Sequence, residues 1–127
     1  MQRLWMGIGA LAGLSAVAMA ALAAHGLETL DPSSLQMVRN ALQVHGWHAL
    51  ALLGCGLWAP RGGRLADAAG AAFTTGLVLF CGAVYALALD GIRLPLLAPI
   101  GGTLLMTGWI LLFVSILLAP RGPTETL

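Results

Sequence analysis

The stretch LWMGIGALAGLSAVAMAALAA, residues 4–24, contains no charged side chain and consists almost entirely of apolar and small residues. A helix needs about 20 such residues to span the hydrocarbon core of a bilayer. Arg3 before the stretch and Ala-Leu-Ala-Ala at its end also imitate a secretory signal with its cleavage site. The length favours a retained transmembrane helix, and this first segment predicts a membrane protein.

Three further apolar segments follow, at about 32–58, 66–89 and 96–119. Asp31-Pro32 is a helix start, with Asp as N-cap and Pro at the first helical position. The glycine- and arginine-rich stretch 60–64 predicts a turn, and glycine after His25 and Asp90 predicts a left-handed stop. We therefore expect an all-α polytopic membrane protein, with four transmembrane helices in an antiparallel bundle over residues 1–119 and a polar C-terminal tail over 120–127.

The composition excludes several classes of protein. Of the 127 residues, 59% are hydrophobic and 9% are charged, and the net charge is +1. A soluble domain has about 25% charged residues, so the lipid bilayer is the expected solvent, and this net charge argues against a nucleic-acid partner. Gly9-x-x-x-Gly13 and the alanines at 12, 16, 20 and 24 form a small-residue column. Such a column permits close packing within the chain, self-association or contact with other membrane proteins.

Arginines in the connections set the expected orientation. Four of them fall on one side of the predicted bundle, and two fall on the other beside Glu28, Asp31 and Asp90. By the positive-inside rule, the side with four arginines is cytoplasmic. The sequence predicts a bacterial inner (plasma) membrane protein with both termini in the cytoplasm; the four residues are Arg3, Arg61, Arg64 and Arg121.

The three histidines are the main candidates for function. His25 closes the first predicted helix, and His45 and His48 share one face of the second, so all three are expected at the periplasmic edge. Tyr85 and Asp90 lie at a similar height on the third helix. Ionisable groups near hydrocarbon are costly and mark functional sites. We expect one polar cluster of His25, His45, His48, Tyr85 and Asp90, with His25, His45, His48 and Asp90 as candidate metal ligands.

Three interpretations of this cluster remain open. The imidazoles form a structural hydrogen-bond network, or they hold a cofactor such as a metal ion or haem. The third interpretation, a path for protons or small solutes, is disfavoured because the predicted polar groups stop at one edge of the bundle. Of the four tryptophans, Trp109 lies deepest and is expected to pack inside.

Four runs of residues resemble those of a known group, the YgdD-like family of small inner-membrane proteins, which has mitochondrial-type relatives. They are Ala24–Leu27, Gln43–Ala51 with its HxxHALA pattern, Gly76–Ala88, and Pro99–Gly102 with Pro-x-Gly-Gly. Cys81 and Ala83 depart from the small hydroxyl residues common there. The resemblance implies four transmembrane helices and a domain of unknown function, and it supplies no reaction.

Composition and resemblance together predict a small integral membrane protein with a non-enzymatic role, as an accessory or interaction subunit of a larger membrane assembly. The alternative is a metal-, haem- or quinone-linked protein that uses the periplasm-facing histidines. The two hypotheses differ in whether the histidines face a ligand.

Overall fold

The fold was obtained as a computed structural model, which describes residues 1–120. Three helices account for nearly all of this range: α1 is Gln2–His25, α2 is Pro32–Asp90 and α3 is Leu97–Leu118. No strand occurs in the described part of the chain. All three helices are long and apolar enough to cross a membrane, so the predicted all-α membrane class agrees with the structure.

Helix α2 folds back on itself at Gly63. Its 59 residues would extend about 88 Å if straight, yet the thiol of Cys81 contacts the carbonyl oxygen of Ala41 at 3.5 Å. Gly63 has φ 54° and ψ −141°, a conformation outside the helical region. Only glycine adopts such a backbone without steric cost. Residues 32–62, the first arm, and residues 64–90, the second arm, therefore run antiparallel.

The prediction of four separate helices is wrong in its count, since the structure has three. Helical structure continues through the expected turn at 60–64, and a single non-helical residue makes the reversal. Pro60 does not end the helix. The predicted polar tail, beyond Pro120, lies outside the described residues, as does Arg121.

The helix ends are partly as expected. Asp31 is the N-cap of α2, Pro32 follows it at the first helical position, and Gly91 ends α2 in the left-handed conformation with φ 66°. These predictions are confirmed. Gly26 differs from its prediction, because its φ of −119° is not left-handed. Its N–H bonds the carbonyl of Leu22 at 2.7 Å, which extends the helical turn instead.

Helices α1 and α3 both pack on α2. Gly9 of the predicted small-residue column packs against the backbone of Ala49 and Leu53. A Cβ added at Gly13 would have no neighbour within 4 Å, so Gly13 makes no such close contact. The chain start, the Gly63 reversal and the end of α3 lie at one end of the bundle, because Gln2 approaches Gly56 and Trp58 bonds Ser115. The core comprises Trp5, Ala51, Leu52, Cys55, Ala69, Phe73, Leu77, Cys81 and Leu105.

Candidate ligand-binding site

His48 is held by two partners that occupy both ring nitrogens. The indole N–H of Trp109 donates to Nε2 at 3.0 Å, and Nδ1 lies 2.7 Å from the carbonyl oxygen of Val44. An indole nitrogen only donates and a carbonyl only accepts. His48 is thus neutral, with its proton on Nδ1. Its ring also packs edge-on against Phe73, with centroids 5.4 Å apart.

His45 forms the middle of a second hydrogen-bond chain. Its Nε2 lies 3.0 Å from the hydroxyl of Ser15, and its Nδ1 lies 3.1 Å from the hydroxyl of Tyr85. The Ser15 hydroxyl is also 2.9 Å from the carbonyl of Ala12, to which it must donate. Ser15 therefore accepts from Nε2–H of His45, and Nδ1 accepts from Tyr85. The direction of every bond in the Tyr85–His45–Ser15 chain is fixed.

Both histidines lie at mid-depth of the bundle rather than at its edge. His48 follows Pro32 by 16 residues and precedes Gly63 by 15, or about 24 and 22 Å along the first arm. Their partners Ser15 and Trp109 stand near the middle of α1 and α3. The sequence predicted a position at the periplasmic edge, whereas the structure places both histidines near the middle of the bundle. Hydrogen bonding lets the neutral rings lie this deep.

The structure brings together only part of the predicted cluster. His45 contacts Tyr85, and His48 on the same helix face bonds different partners. His25 and Asp90 are exposed at the end of the bundle far from Gly63. Among residues 1–120, no group of three or more His, Cys, Asp or Glu side chains lies close enough to hold a metal ion.

A groove of about 500 Å³ runs between α1 and the second arm of α2. Leu11 and Val78 stand at its exposed rim, each 67% exposed, so the groove opens sideways toward lipid. Apolar side chains form most of its surface. Its polar side chains are Ser15, His45, Thr74, Cys81 and Tyr85.

A protein-family model described as "Protein of unknown function (DUF423)" matches residues 19–102, more than half of the chain. The chain belongs to this family. The UPF0382 membrane protein of Haemophilus influenzae is 35% identical to this DUF423 protein over 112 residues, which are 87% of this chain and 90% of that protein. The UPF0382 membrane protein YwdK of Bacillus subtilis is 35% identical over 112 residues, which are 85% of this chain and 91% of that protein. No solved structure matches.

The DUF423 family match and the names of these relatives agree with the predicted uncharacterised membrane family. Neither Ser15 nor the bonding role of Trp109 was predicted from the sequence. The expectation that Trp109 packs inside also differs from the structure, where its side chain is 48% exposed although its N–H bonds His48. Two signals pointed to Ser15 and Trp109. Ser15 is the only hydroxyl in the apolar run 4–24, and Trp109 lies well inside an apolar helix, nine residues before its last residue Leu118. A polar group deep in an apolar helix needs a partner, and here the partners are the two histidines.

Proposed function

We propose that this DUF423 protein is a membrane-embedded binding protein, which takes up a lipid-soluble molecule carrying a polar group into the groove between α1 and the second arm of α2. The observation that carries the proposal is the Tyr85–His45–Ser15 chain inside a predominantly apolar groove. This proposal adopts the lipid-soluble ligand of the quinone-linked alternative and moves the site from the bundle edge to its middle.

The depth of the groove limits the class of ligand. Its lining residues Ser15 and Leu77 stand near the middle of α1 and of the second arm. A phospholipid keeps its charged headgroup at the interface, about 15 Å from the bilayer centre. Tyr85 stands eight residues beyond Leu77, about 12 Å along the arm, and its hydroxyl contacts His45 near the middle of the bundle. This placement favours a molecule that is soluble in the hydrocarbon itself, such as a phenol, quinol or long-chain alcohol.

The ring nitrogens of the two histidines favour a hydrogen-bonded ligand over a metal ion or haem. A metal needs an imidazole lone pair, and the lone pair of His48 already accepts from Trp109. The lone pair of His45 accepts from Tyr85. A metal or haem ligand would have to break one of these bonds, whereas a molecule in the groove reaches Tyr85 without breaking either.

The groove is tested by NMR of the protein in lipid nanodiscs. Tyr85 is the only tyrosine of the chain, so ¹³Cζ-labelled tyrosine gives one signal from inside the groove. Titration with 4-dodecylphenol is expected to shift this signal saturably. A shift that grows linearly with phenol concentration, as for simple partitioning into lipid, would contradict a binding site.

A matched pair of variants locates the binding. Val78→Trp places an indole at the rim of the groove. We expect this variant to bind 4-dodecylphenol at least tenfold more weakly than the wild type. Ile110→Trp adds the same ring on α3, outside the groove, at a residue of similar exposure (63% against 67%). It should leave the titration unchanged. Equal affinities in the two variants would place the phenol elsewhere.

We further propose that α1, both arms of α2 and α3 cross the bilayer of the bacterial inner membrane, with both termini cytoplasmic. Arg3, Arg61 and Arg64 near one end of the bundle support this orientation, against Arg39 and Arg93 nearer the other. An alkaline phosphatase fusion after Leu127 should be inactive, and an insertion after Gly91 should be active. The reverse pattern would invert the orientation.

The accessory or interaction role stays a prediction, as do the narrower YgdD-like assignment and its mitochondrial-type relatives. Leu14 and Val17 on the outer face of α1 are exposed, and they form the surface that a protein partner would cover. Crosslinking at Val17 in native membranes tests this role separately from the groove.

A further inference from the structure

The hydroxyl and thiol hydrogens of the groove are already used within the protein. The hydroxyl of Ser15 donates to the carbonyl three residues earlier in α1, at 2.9 Å. The hydroxyl of Thr74 donates to the carbonyl four residues earlier, at 2.8 Å, and the thiol of Cys81 donates to a carbonyl of the first arm at 3.5 Å. Because a carbonyl oxygen only accepts, the direction of these three bonds is fixed.

The remaining two polar side chains follow the same pattern. His45 donates Nε2–H to Ser15, and Tyr85 donates its hydroxyl hydrogen to Nδ1 of His45. The phenolic oxygen of Tyr85 keeps acceptor capacity, since a hydroxyl has two lone pairs. Toward its interior the groove thus offers lone pairs and no free hydrogen.

We propose that the groove selects a lipid-soluble molecule whose polar group is a hydroxyl, which donates a hydrogen bond to the phenolic oxygen of Tyr85. This inference rests on the proposed function and names the chemical class of its ligand. A ligand carbonyl has no hydrogen to donate, and it gains a partner only if Tyr85 gives up its bond to His45. Phenols, quinols and alcohols are therefore preferred over ketones, quinones and ethers.

Three probes with the same dodecyl chain test the selection. They are 4-dodecylphenol, its methyl ether, and the acetophenone with that chain. Tritiated phenol bound to the protein in nanodiscs is displaced by each unlabelled probe. We expect the phenol to bind about tenfold more tightly than the ether or the ketone, which is the equivalent of one net hydrogen bond.

Substitution of the acceptor gives a second measurement. Tyr85→Phe removes the phenolic oxygen and keeps the ring, but it also frees the lone pair on Nδ1 of His45, so it is combined with His45→Phe. In this double variant the phenol should bind about tenfold more weakly, with the affinity of its methyl ether, while the affinity of the ether is unchanged. Thr107→Val is the control, because it removes a hydroxyl on α3 that donates to a carbonyl outside the groove. Its probe affinities should match those of the wild type.

The outcomes separate the inference from the proposed function. Equal binding of the three probes, or tighter binding of the ketone, would overturn hydroxyl selection and leave a ligand groove in place. Absence of saturable binding by any probe would overturn both. The comparison of the three probes uses the wild-type protein alone, so it tests the inference even if the variant at Tyr85 does not fold.

Discussion

The indole N–H of Trp109 donates to Nε2 of His48 across 3.0 Å, and this bond joins α3 to the middle of α2. With the carbonyl of Val44 accepting from Nδ1, it assigns one tautomer to His48. The Ser15 and Tyr85 contacts assign the opposite tautomer to His45. Two neutral imidazoles three residues apart thus carry their protons on different ring nitrogens.

We expect ¹⁵N NMR of histidine-labelled protein in lipid to show this difference directly. At neutral pH, His48 should carry its proton on Nδ1, because its partners can only donate or only accept. His45 should carry its proton on Nε2, because the Ser15 hydroxyl already donates to the carbonyl of Ala12 and can only accept from the ring. Substitution of each histidine in turn assigns the signals. Identical tautomers at the two positions, or an imidazolium spectrum at either, would contradict the hydrogen-bond directions.

Trp109→Phe should destabilise the protein by about 1–3 kcal/mol, because Nε2 of His48 then becomes a buried acceptor without its donor. His48 is only 6% exposed. The phenyl ring retains the edge-on contact with Phe73, whose centroid lies 5.1 Å from that of Trp109. The loss therefore reports mainly on the hydrogen bond. The measurement is the unfolding free energy in mixed detergent micelles.

Trp47→Phe is the matched control for that experiment. Trp47 lies between the two histidines in sequence, but it is 62% exposed. We expect a change below about 0.5 kcal/mol, as for most surface substitutions. If both variants lose the same free energy, the bond to His48 contributes nothing measurable.

The sequence predicted the helical class and the start of α2 well, because both depend on local signals. Apolar length alone identifies segments that suit a bilayer, and Asp31-Pro32 marks a helix start through its own backbone chemistry. A turn was predicted over residues 60–64, but a reversal made by the single residue Gly63 within continuing helix was not. One glycine suffices there because the helix resumes immediately after it.

The candidate site was harder to predict because it depends on which helix faces meet. His45 and Tyr85, which the sequence places at compatible heights, contact each other across the two arms of α2. His25 and Asp90 were grouped with them by depth along the chain, yet they lie at the exposed end of the bundle. The histidines of α2 instead bond Ser15 of α1 and Trp109 of α3. These partners depend on how α1 and α3 pack on α2, which the sequence does not specify.

Gly101→Ala should destabilise the contact between α3 and the second arm of α2. A Cβ at this position would lie 2.5 Å from the backbone nitrogen of Phe80 and 2.8 Å from the carbonyl oxygen of Gly76. Backbone atoms cannot move aside as a flexible side chain can, so the helices must separate. We expect a loss of about 1–3 kcal/mol, typical of overpacking, measured by thermal or denaturant unfolding.

Gly102→Ala provides the control at the next residue. The nearest atom to a Cβ there is a ring carbon of Phe80 at 3.8 Å, an ordinary contact. Alanine is also favoured over glycine within a helix by up to about 1 kcal/mol. This variant should be neutral or slightly stabilising, and a loss equal to that of Gly101→Ala would exclude close backbone packing as the cause.

The cap of α2 gives the protein a predicted response to acid. Hydrogen bonds from the hydroxyl of Ser33, and next from Ser34, lower the pKa of Asp31 well below its usual range. A carboxylate with a lower pKa in the folded state stabilises that state fully above its unfolded pKa of about 3.9. The stabilisation decreases as the pH falls below that value toward the folded pKa.

Asp31→Asn tests this response because asparagine keeps a capping oxygen but carries no charge. We expect the wild type to be more stable than the variant at pH 7, and the difference to shrink as the pH falls from about 5 to 3. Ser33→Ala should raise the pKa of Asp31 toward its ordinary value in a ¹³C titration, since it removes the strongest donor to the carboxylate. A stability difference independent of pH would mean that the charge on Asp31 plays no part in the cap, which would then act through its oxygen geometry alone.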